Sequence, residues 1–310
     1  LQLPVLGMGC WAYGGGEYWG PQAQQDVDAV VRCAVNHGCN FFDTADVYGH
    51  GHSEEILGEA LEGRRQQVIL ATKVGGNFYN RDVHPLLRDR VAEAAGTPFD
   101  RIPPDALLPV THDTNFTASY VRFALAMSLA RLRTDYIDLL QLHNPPLQQI
   151  SALETYGVLE DLKREGLIRA YGVSVHSPEE GLVAIQSTMP DTVQLVYNLA
   201  RREAEPRFFP AARAANVGVI VREPLANGFL AGRYIEGSTW DRGDIRSRMP
   251  RQYVGQLVTL GRRVRELAGR TDSTPAQLAL RFVLDNAGVA TVIVGTKTVT
   301  QANENFAVET

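Results

Sequence analysis

The sequence predicts an α/β fold, a (β/α)8 TIM barrel with long loops on its C-terminal face. Short apolar runs, typical of strands in a buried parallel sheet, alternate eight times with helical segments of amphipathic pattern. No linker, low-complexity segment or compositional break interrupts the 310 residues, and barrels of this length commonly form one domain. We therefore expect a single barrel domain over residues 1–310.

The composition excludes several classes of protein. With 45% hydrophobic residues, 21% charged residues and a net charge of −5, the chain lacks the basic character of a nucleic-acid-binding protein. No apolar run is long enough to span a membrane, and we expect no secretory leader. Three cysteines without a CxxC pair argue against a disulfide framework or a metal site. We expect a cytoplasmic protein that binds no nucleic acid and no membrane, and its oligomeric state is left open.

The elements follow from the period of the apolar residues. The predicted strands cover residues 4–9, 39–42, 68–73, 136–143, 169–174, 192–198, 217–221 and 289–294. The predicted helices cover residues 26–37, 53–61, 118–132, 151–165, 178–186, 203–215, 255–268 and 275–286, with a last helix from 299.

Two connections are unusually long. Residues 75–116 separate the third strand from the next clear helix, whereas a βα loop usually has ~2–6 residues. We predict that this loop, with a short helix over 85–95, folds over the catalytic face, and that Phe78 and Tyr79 approach the substrate. The alternative is an excursion packed on the outer helices. Residues 223–270, after the seventh strand, form the second long connection and include an extra helix.

Four polar side chains lie at or just past the ends of successive predicted strands: Asp43, Tyr48, Lys73 and His143. In a (β/α)8 barrel the catalytic groups gather at this face. The usual tyrosine pKa of about 10 is too high for easy proton exchange near neutral pH, and a nearby cation such as Lys73 would lower it. Asp43 could pair with Lys73. For each residue alone, a buried ion pair or a core tyrosine is the alternative.

Six motifs, in order, resemble those of the aldo-keto reductases. They are FFDTADVYG at 41–49, ATK at 71–73, RLRTDYIDLLQLHNP at 131–145, GVS at 172–174, PLANGFLAGRY at 224–234 and GTKTVTQANEN at 295–305. The resemblance implies an NAD(P)H-dependent oxidoreductase that reduces an aldehyde, ketone or sugar to an alcohol, or catalyses the reverse reaction. It implies that Tyr48 is the general acid, that Lys73 and Asp43 tune it, and that His143 orients the carbonyl.

The chain has no GxGxxG after its first strand, so a dinucleotide fold of that type is not supported. The resemblance implies instead a nicotinamide nucleotide lying across the top of the barrel. The residues implied to bind it are Cys10, Trp11, Asp43, Ser174, Gln194, Arg222, Pro224, Leu225, Gly228, Leu230, Gly232, Arg233, Gly295, Lys297, Gln301, Glu304 and Asn305. Ser174 and Gln194 would bind the carboxamide. Arg222 takes the place of a stacking tyrosine that many relatives carry.

NADPH is the expected cofactor, with NADH possible. Lys297 could meet a 2′-phosphate together with Arg233 and Arg246, whereas Gln301 takes the place of an arginine in many NADPH-specific relatives. The expected substrate is a small carbonyl compound. Aromatic residues cluster on a glycine-rich loop after the first strand, where they would form a pocket wall. The residues expected to contact the substrate are Trp11, Tyr13 and Trp19 on this loop, Phe78 and Tyr79 on the long loop, and Tyr48 and His143.

Two other functions stay open. A nucleotide-binding sensor or partner subunit could keep this fold with little turnover, although the complete set of four polar residues argues against it. An unrelated barrel aldolase could use Lys73 to form a Schiff base and would need no nicotinamide.

Overall fold

A computed structural model describes residues 1–78, 98 and 114–308, without the side chains of Gly16 and Glu17. Eight parallel strands pair in sequence order, and the eighth pairs with the first to close a barrel. They are β1 Leu6–Gly9, β2 Phe41–Asp43, β3 Ile69–Val74, β4 Ile137–His143, β5 Ile168–Ser174, β6 Thr192–Val196, β7 Gly218–Arg222 and β8 Thr291–Gly295. The predicted (β/α)8 fold class is confirmed.

Helices surround the barrel. The longer ones are α1 Gln24–Asn36, α2 His52–Ala60, α3 Ala118–Arg131, α4 Leu153–Arg164, α5 Pro178–Ser187, α6 Phe208–Ala214, α7 Arg251–Ala268, α8 Pro275–Leu284 and α9 Val299–Phe306. Single helical turns cover Trp11–Gly14, Gly16–Trp19, Arg65–Gln67, Leu147–Ile150, Phe229–Ala231 and Ile245–Arg248. Within the described ranges, no helix is both long and apolar enough to cross a membrane.

Two helices begin where their sequence signals place them. The Ser177 side chain accepts a hydrogen bond from the Glu180 amide, and Glu180 accepts one in return at the start of α5. Thr274 and Gln277 form the same reciprocal cap on α8. Both helices carry proline at their first position, where its missing N–H costs nothing.

Helix α6 differs most from its prediction, because it begins at Phe208 rather than at residue 203. Pro206 disfavours the helical conformation of the residue before it, Glu205. The Glu205 carboxylate instead accepts hydrogen bonds from Tyr197 and Arg202. In the other direction, α7 begins at Arg251, four residues before its predicted start. The predicted helix over 85–95 lies outside the described residues.

The barrel interior is apolar towards the N-terminal ends of the strands, here called the lower end, and polar towards their C-terminal ends. A small cluster of buried side chains from β2, β3, β4, β5, β7 and β8 fills the lower end: Phe41, Ala71, Leu139, Ala170, Ile220 and Ile293. Two residues further along β2, β3 and β4, where side chains face the same way, stand Asp43, Lys73 and Gln141. The polar layer therefore lies at the C-terminal ends of the strands.

Candidate active site

Lys73 lies at the centre of the polar layer. Its ammonium donates to Oδ1 of Asp43 over 2.5 Å, to the carbonyl of Thr44 over 2.8 Å and to the hydroxyl of Tyr48 over 3.2 Å. Burial on its own would lower the lysine pKa, but the charge of Asp43 outweighs it and the pKa of Lys73 is raised. Lys73 is therefore a charged group near neutral pH that contacts both a carboxylate and a phenol.

Tyr48 sits on a tight turn between β2 and α2. Gly14 and Gly49 let the first loop approach this turn, since a Cβ on Gly14 would lie 2.6 Å from the Tyr48 carbonyl carbon. Ser53, in the first turn of α2, donates to the carbonyl of Cys10, the residue after β1, over 2.8 Å. Burial raises the pKa of Tyr48, and the lowering effect of Lys73 only partly offsets it. Lys73 thus lowers the pKa of Tyr48 as expected, but burial outweighs it and the pKa lies above its usual value.

His143 ends β4 beside the tyrosine. The two rings meet edge to face, with 5.6 Å between the centroids of Tyr48 and His143. Burial holds the pKa of His143 well below its usual value, and the positive charges of Lys73 and Arg222 lower it further. The imidazole is therefore neutral near pH 7, with one ring nitrogen carrying hydrogen and the other accepting.

A cleft runs from these groups across the top of the barrel. It is lined by sixteen of the residues expected to bind cofactor or substrate: Cys10, Trp11, Trp19, Asp43, Tyr48, Gln194, Arg222, Pro224, Leu225, Gly228, Arg233, Gly295, Lys297, Gln301, Glu304 and Asn305. Loops that follow β1, β7 and β8 thus meet along one groove, with the Lys73 cluster at its inner end.

Three of the expected residues lie behind the wall of this cleft. Tyr13 is fully buried, and its hydroxyl lies 2.9 Å from the sulfur of Met8, so it belongs to the core and not to a substrate wall. Leu230 is also fully buried, in an apolar cluster against α7 and α8. Gly232 packs on α7 with a left-handed φ of +68°, where the close approach and the backbone conformation both favour glycine.

The remaining expected residues have separate positions. Ser174 is buried at the end of β5, in register with His143 and Gln194, and its hydroxyl donates to Asn144 over 3.2 Å. Phe78 is half-buried, with its ring centroid 5.4 Å from that of His50. Tyr79 lies outside the described residues, as does most of the predicted 75–116 loop.

The outer end of the cleft is basic. Lys297 donates from Nζ to the carbonyl of Trp19 over 2.7 Å. Arg246 is paired with Asp244, whose backbone forms an antiparallel bridge with Trp19. Arg233 pairs with Glu304 over 2.9 Å. Burial lowers the pKa of Lys297, and the charge of Arg246 adds to this effect. This end of the cleft would therefore favour an anionic group.

Three buried polar atoms on residues that line the cleft have no hydrogen-bond partner in the described part of the chain. They are Nε1 of Trp19, Oε1 of Gln194 and Nε of Arg222. Buried polar groups in proteins are nearly always hydrogen-bonded, so a missing partner indicates a place where a ligand can supply one. One of these atoms is an acceptor and the other two are donors, which suits a polar ligand.

Gln141 has a place in the polar layer that the sequence reasoning missed. Its amide nitrogen donates to Oδ2 of Asp43 over 2.8 Å, and it is fully buried. The signal was present, since Gln141 is a polar residue two positions before His143 and therefore on the same face of the strand. In the described residues, no group of three or more His, Cys, Asp or Glu side chains could hold a metal ion.

Comparison with known proteins agrees with this geometry. The sequence matches the model of the Aldo/keto reductase family over residues 5–310. It is 31% identical over 309 residues to aldo-keto reductase YhdN of Bacillus subtilis (strain 168), covering 96% of this chain and 82% of that protein. It is 28% identical to aldo-keto reductase yakc of Schizosaccharomyces pombe, whose name specifies NADP(+), covering 98% of this chain and 83% of that protein.

Solved structures give the same result. The glycerol dehydrogenase AKR11B4 from Gluconobacter oxydans superposes with a TM-score of 0.77 at 28% identity, covering 99% of this chain and 87% of that one. Aldo-keto reductase AKR11C1 from Bacillus halodurans, in its holo form, superposes with a TM-score of 0.73 at 28% identity over the same shares. The chain therefore belongs to the aldo-keto reductase family of oxidoreductases.

Proposed function

We propose that the protein reduces the carbonyl group of an aldehyde, ketone or sugar with NADPH, or catalyses the reverse oxidation. The observation that carries the proposal is the position of the Lys73 ammonium, which contacts the Asp43 carboxylate and the Tyr48 hydroxyl at once. A fixed cation beside a phenol stabilises the phenolate that forms when the phenol gives up its proton.

Tyr48 is the general acid in this mechanism. NADPH bound in the cleft would supply a hydride to the carbonyl carbon and be oxidised to NADP+, while Tyr48 would protonate the oxygen as the C=O double bond becomes a single bond. Because burial raises the pKa of Tyr48, the phenol carries its proton before the reaction. Lys73 then lowers the free energy of the phenolate left behind, and Asp43 holds Lys73 in place.

His143 orients the substrate. Its neutral imidazole, whose pKa burial lowers, keeps an N–H group that can donate to a carbonyl oxygen held near Tyr48. A charged imidazolium would be a competing acid beside the phenol. The low pKa therefore leaves proton donation to Tyr48 and hydrogen bonding to His143.

The cleft fits a nicotinamide nucleotide at both ends. At the inner end, Oε1 of Gln194 is a buried acceptor without a described partner, and a carboxamide carries the N–H donors that match it. At the outer end, Lys297 uses one of its three hydrogens on Trp19, which leaves two for a phosphate. Lys297, Arg246 and Arg233 together support a preference for NADPH over NADH, as does the name of the S. pombe relative.

A Schiff-base role for Lys73 is disfavoured. Such a nucleophile must be a neutral amine, whereas Asp43 raises the pKa of Lys73 and keeps it charged. Its ammonium is also fully buried, with hydrogen bonds to three protein groups. Both properties suit a fixed cation better than a group that forms a bond to substrate.

A cofactor-oxidation screen tests the proposal. The purified protein is mixed with NADPH and a panel of aliphatic and aromatic aldehydes, ketones and sugars, and the loss of reduced cofactor is followed. The reverse direction is run with NADP+ and polyols, since one similar structure is a glycerol dehydrogenase. Turnover of at least one panel member is expected. Tight NADPH binding with no turnover in either direction would favour a nucleotide-binding subunit instead.

A further inference from the structure

Gln141 is a buried amide that the proposed reaction does not use directly. It pairs in register with Lys73 on β3 and with Gly172 on β5. Its neighbours on the same face of β4 are Leu139 below and His143 above. A leucine would fill this position without any polar group to satisfy, so the amide needs a reason to be there.

The Asp43 carboxylate fixes the direction of every hydrogen bond in this cluster. Its Oδ1 accepts from the Lys73 ammonium over 2.5 Å, and an ionised carboxylate can only accept. Its Oδ2 accepts from Nε2 of Gln141 over 2.8 Å and from Nε2 of Gln194 over 2.9 Å. Both amides must therefore turn their nitrogens towards Asp43.

The Gln141 carbonyl then completes the arrangement. Oε1 of Gln141 accepts from Nε2 of Gln194 over 3.0 Å, so both hydrogens of the Gln194 amide are engaged. Oε1 of Gln194 is left buried and without a partner among the described residues, on a side chain that lines the cleft. The cluster thus presents an acceptor, and not a donor, to whatever enters the cleft.

We propose that Gln141 is a positioning residue for the nicotinamide: it holds the Gln194 amide so that the Gln194 carbonyl accepts a hydrogen bond from the carboxamide of the cofactor. This inference rests on the proposed function, because it assumes a nicotinamide at the inner end of the cleft. Gln141 acts only through Gln194 and Asp43.

A glutamate at this position makes the positioning depend on pH. The protonated acid reproduces glutamine, since its O–H donates to Asp43 and its C=O accepts from Gln194. The ionised acid can only accept, and it would meet Asp43 as a like charge. The charged groups that the described contacts and strand register place against this position are Asp43 on β2 and Lys73 on β3.

We expect the affinity to depend on pH only for the Gln141→Glu variant and only with NADP+ as the ligand. Gln141→Glu should bind NADP+ like the wild type at low pH and about tenfold more weakly when the new acid ionises, the loss expected for a buried hydrogen bond. The matched ligand is 2′,5′-ADP, which carries the adenine and the 2′-phosphate but no nicotinamide. Its affinity for the variant should follow that of the wild type at every pH.

A double-mutant cycle measures the coupling between the Gln141 and Gln194 amides. Gln141→Leu and Gln194→Leu should each weaken NADP+ binding about tenfold, and the double variant should lose little more than Gln194→Leu does. Retained binding of 2′,5′-ADP shows that each variant is folded. Additive losses in the double variant would mean that Gln141 does not act through Gln194, and would overturn the inference.

The two proposals fail in different ways. If the wild type binds 2′,5′-ADP but not NADP+, there is no nicotinamide site, and both the proposed function and this inference are overturned. If the wild type binds NADP+ and the affinity of Gln141→Glu is independent of pH, only the role of Gln141 is overturned. If Gln141→Glu loses NADP+ and 2′,5′-ADP together, the residue is structural and the inference is again overturned.

Discussion

The Lys297 ammonium donates to the main-chain carbonyl of Trp19 over 2.7 Å, and so joins the loop after β8 to the loop after β1. Both residues line the cleft, and Trp19 also forms an antiparallel bridge with Asp244. Lys297 therefore has two separable roles, one in holding Trp19 and one in binding an anionic group.

The first prediction separates these roles. Lys297→Ala should weaken NADPH binding about 10–100-fold, the range for losing a hydrogen bond to a charged group, and leave NADH binding unchanged. The two cofactors differ only in the 2′-phosphate, so NADH is the internal control. Fluorescence titration with both measures the effect. Equal losses for the two cofactors would show that Lys297 acts through Trp19 and not through the phosphate.

The second prediction concerns the pH dependence of stability. The folded protein lowers the pKa of His143 well below 6.5, so the unfolded chain binds this proton more readily. The free energy of unfolding should therefore fall as the pH drops below about 6.5, by at most about 1.4 kcal/mol per pH unit for this one group. Urea denaturation from about pH 8 to about pH 5 measures it.

A matched substitution isolates the contribution of His143. His143→Gln should have a shallower loss of stability towards acid than the wild type, because the group that resists protonation is gone. His37→Gln, at an exposed histidine that follows α1, is the matched control for exchanging a histidine for glutamine. If His143→Gln keeps the full wild-type slope, His143 is not the neutral imidazole described above.

The third prediction concerns the long loop after β3. Its two ends are held together, since the Asn115 amide donates to the Gly75 carbonyl over 2.8 Å and Gly76 forms a bridge with Thr114. Replacing residues 80–112 with a short glycine-serine bridge should therefore leave the barrel folded. Substrate turnover should be lost while cofactor affinity is kept, if the loop covers the catalytic face. Unchanged kinetics on the substrate found in the screen would exclude this role.

Most residues of the polar layer could be predicted from the sequence, because they lie at the ends of strands. Asp43, Lys73 and His143 each stop an apolar run, and the fold brings the ends of parallel strands to one face. The hydrogen bonds of the Gln141 side chain could not be predicted in the same way. They join residues 98 and 53 positions apart, to Asp43 and Gln194, and they depend on the register between strands.

The direction of side chains within a single helical turn could not be predicted from the sequence either. Trp11 and Tyr13 lie two residues apart on one helical turn, yet Trp11 lines the cleft and Tyr13 is buried on Met8. A turn of four residues is too short for the spacing of its apolar residues to show which face is buried. The net direction of the Tyr48 pKa shift could not be predicted from the sequence either, because it depends on how completely the ring is buried.

The fourth prediction concerns Lys73. Lys73→Met should lower turnover by about 10²–10⁴-fold, because the phenolate of Tyr48 loses its cation. The variant also leaves Asp43 as an unpaired buried charge, which typically costs about 3–5 kcal/mol of stability. The double variant Lys73→Met with Asp43→Asn removes that charge, so it should regain thermal stability without regaining activity. Recovery of activity in the double variant would show that Lys73 serves only to neutralise Asp43.

The most direct test of the account is the Tyr48→Phe variant, because it removes one hydroxyl from the reacting centre and little else. Steady-state turnover of the substrate found in the screen is measured beside NADPH affinity, for this variant and the wild type. Turnover should fall by about 10²–10⁴-fold, the usual contribution of a general acid, with NADPH affinity changed by less than about twofold. Near-normal turnover in Tyr48→Phe would contradict the assignment of Tyr48 as the proton donor.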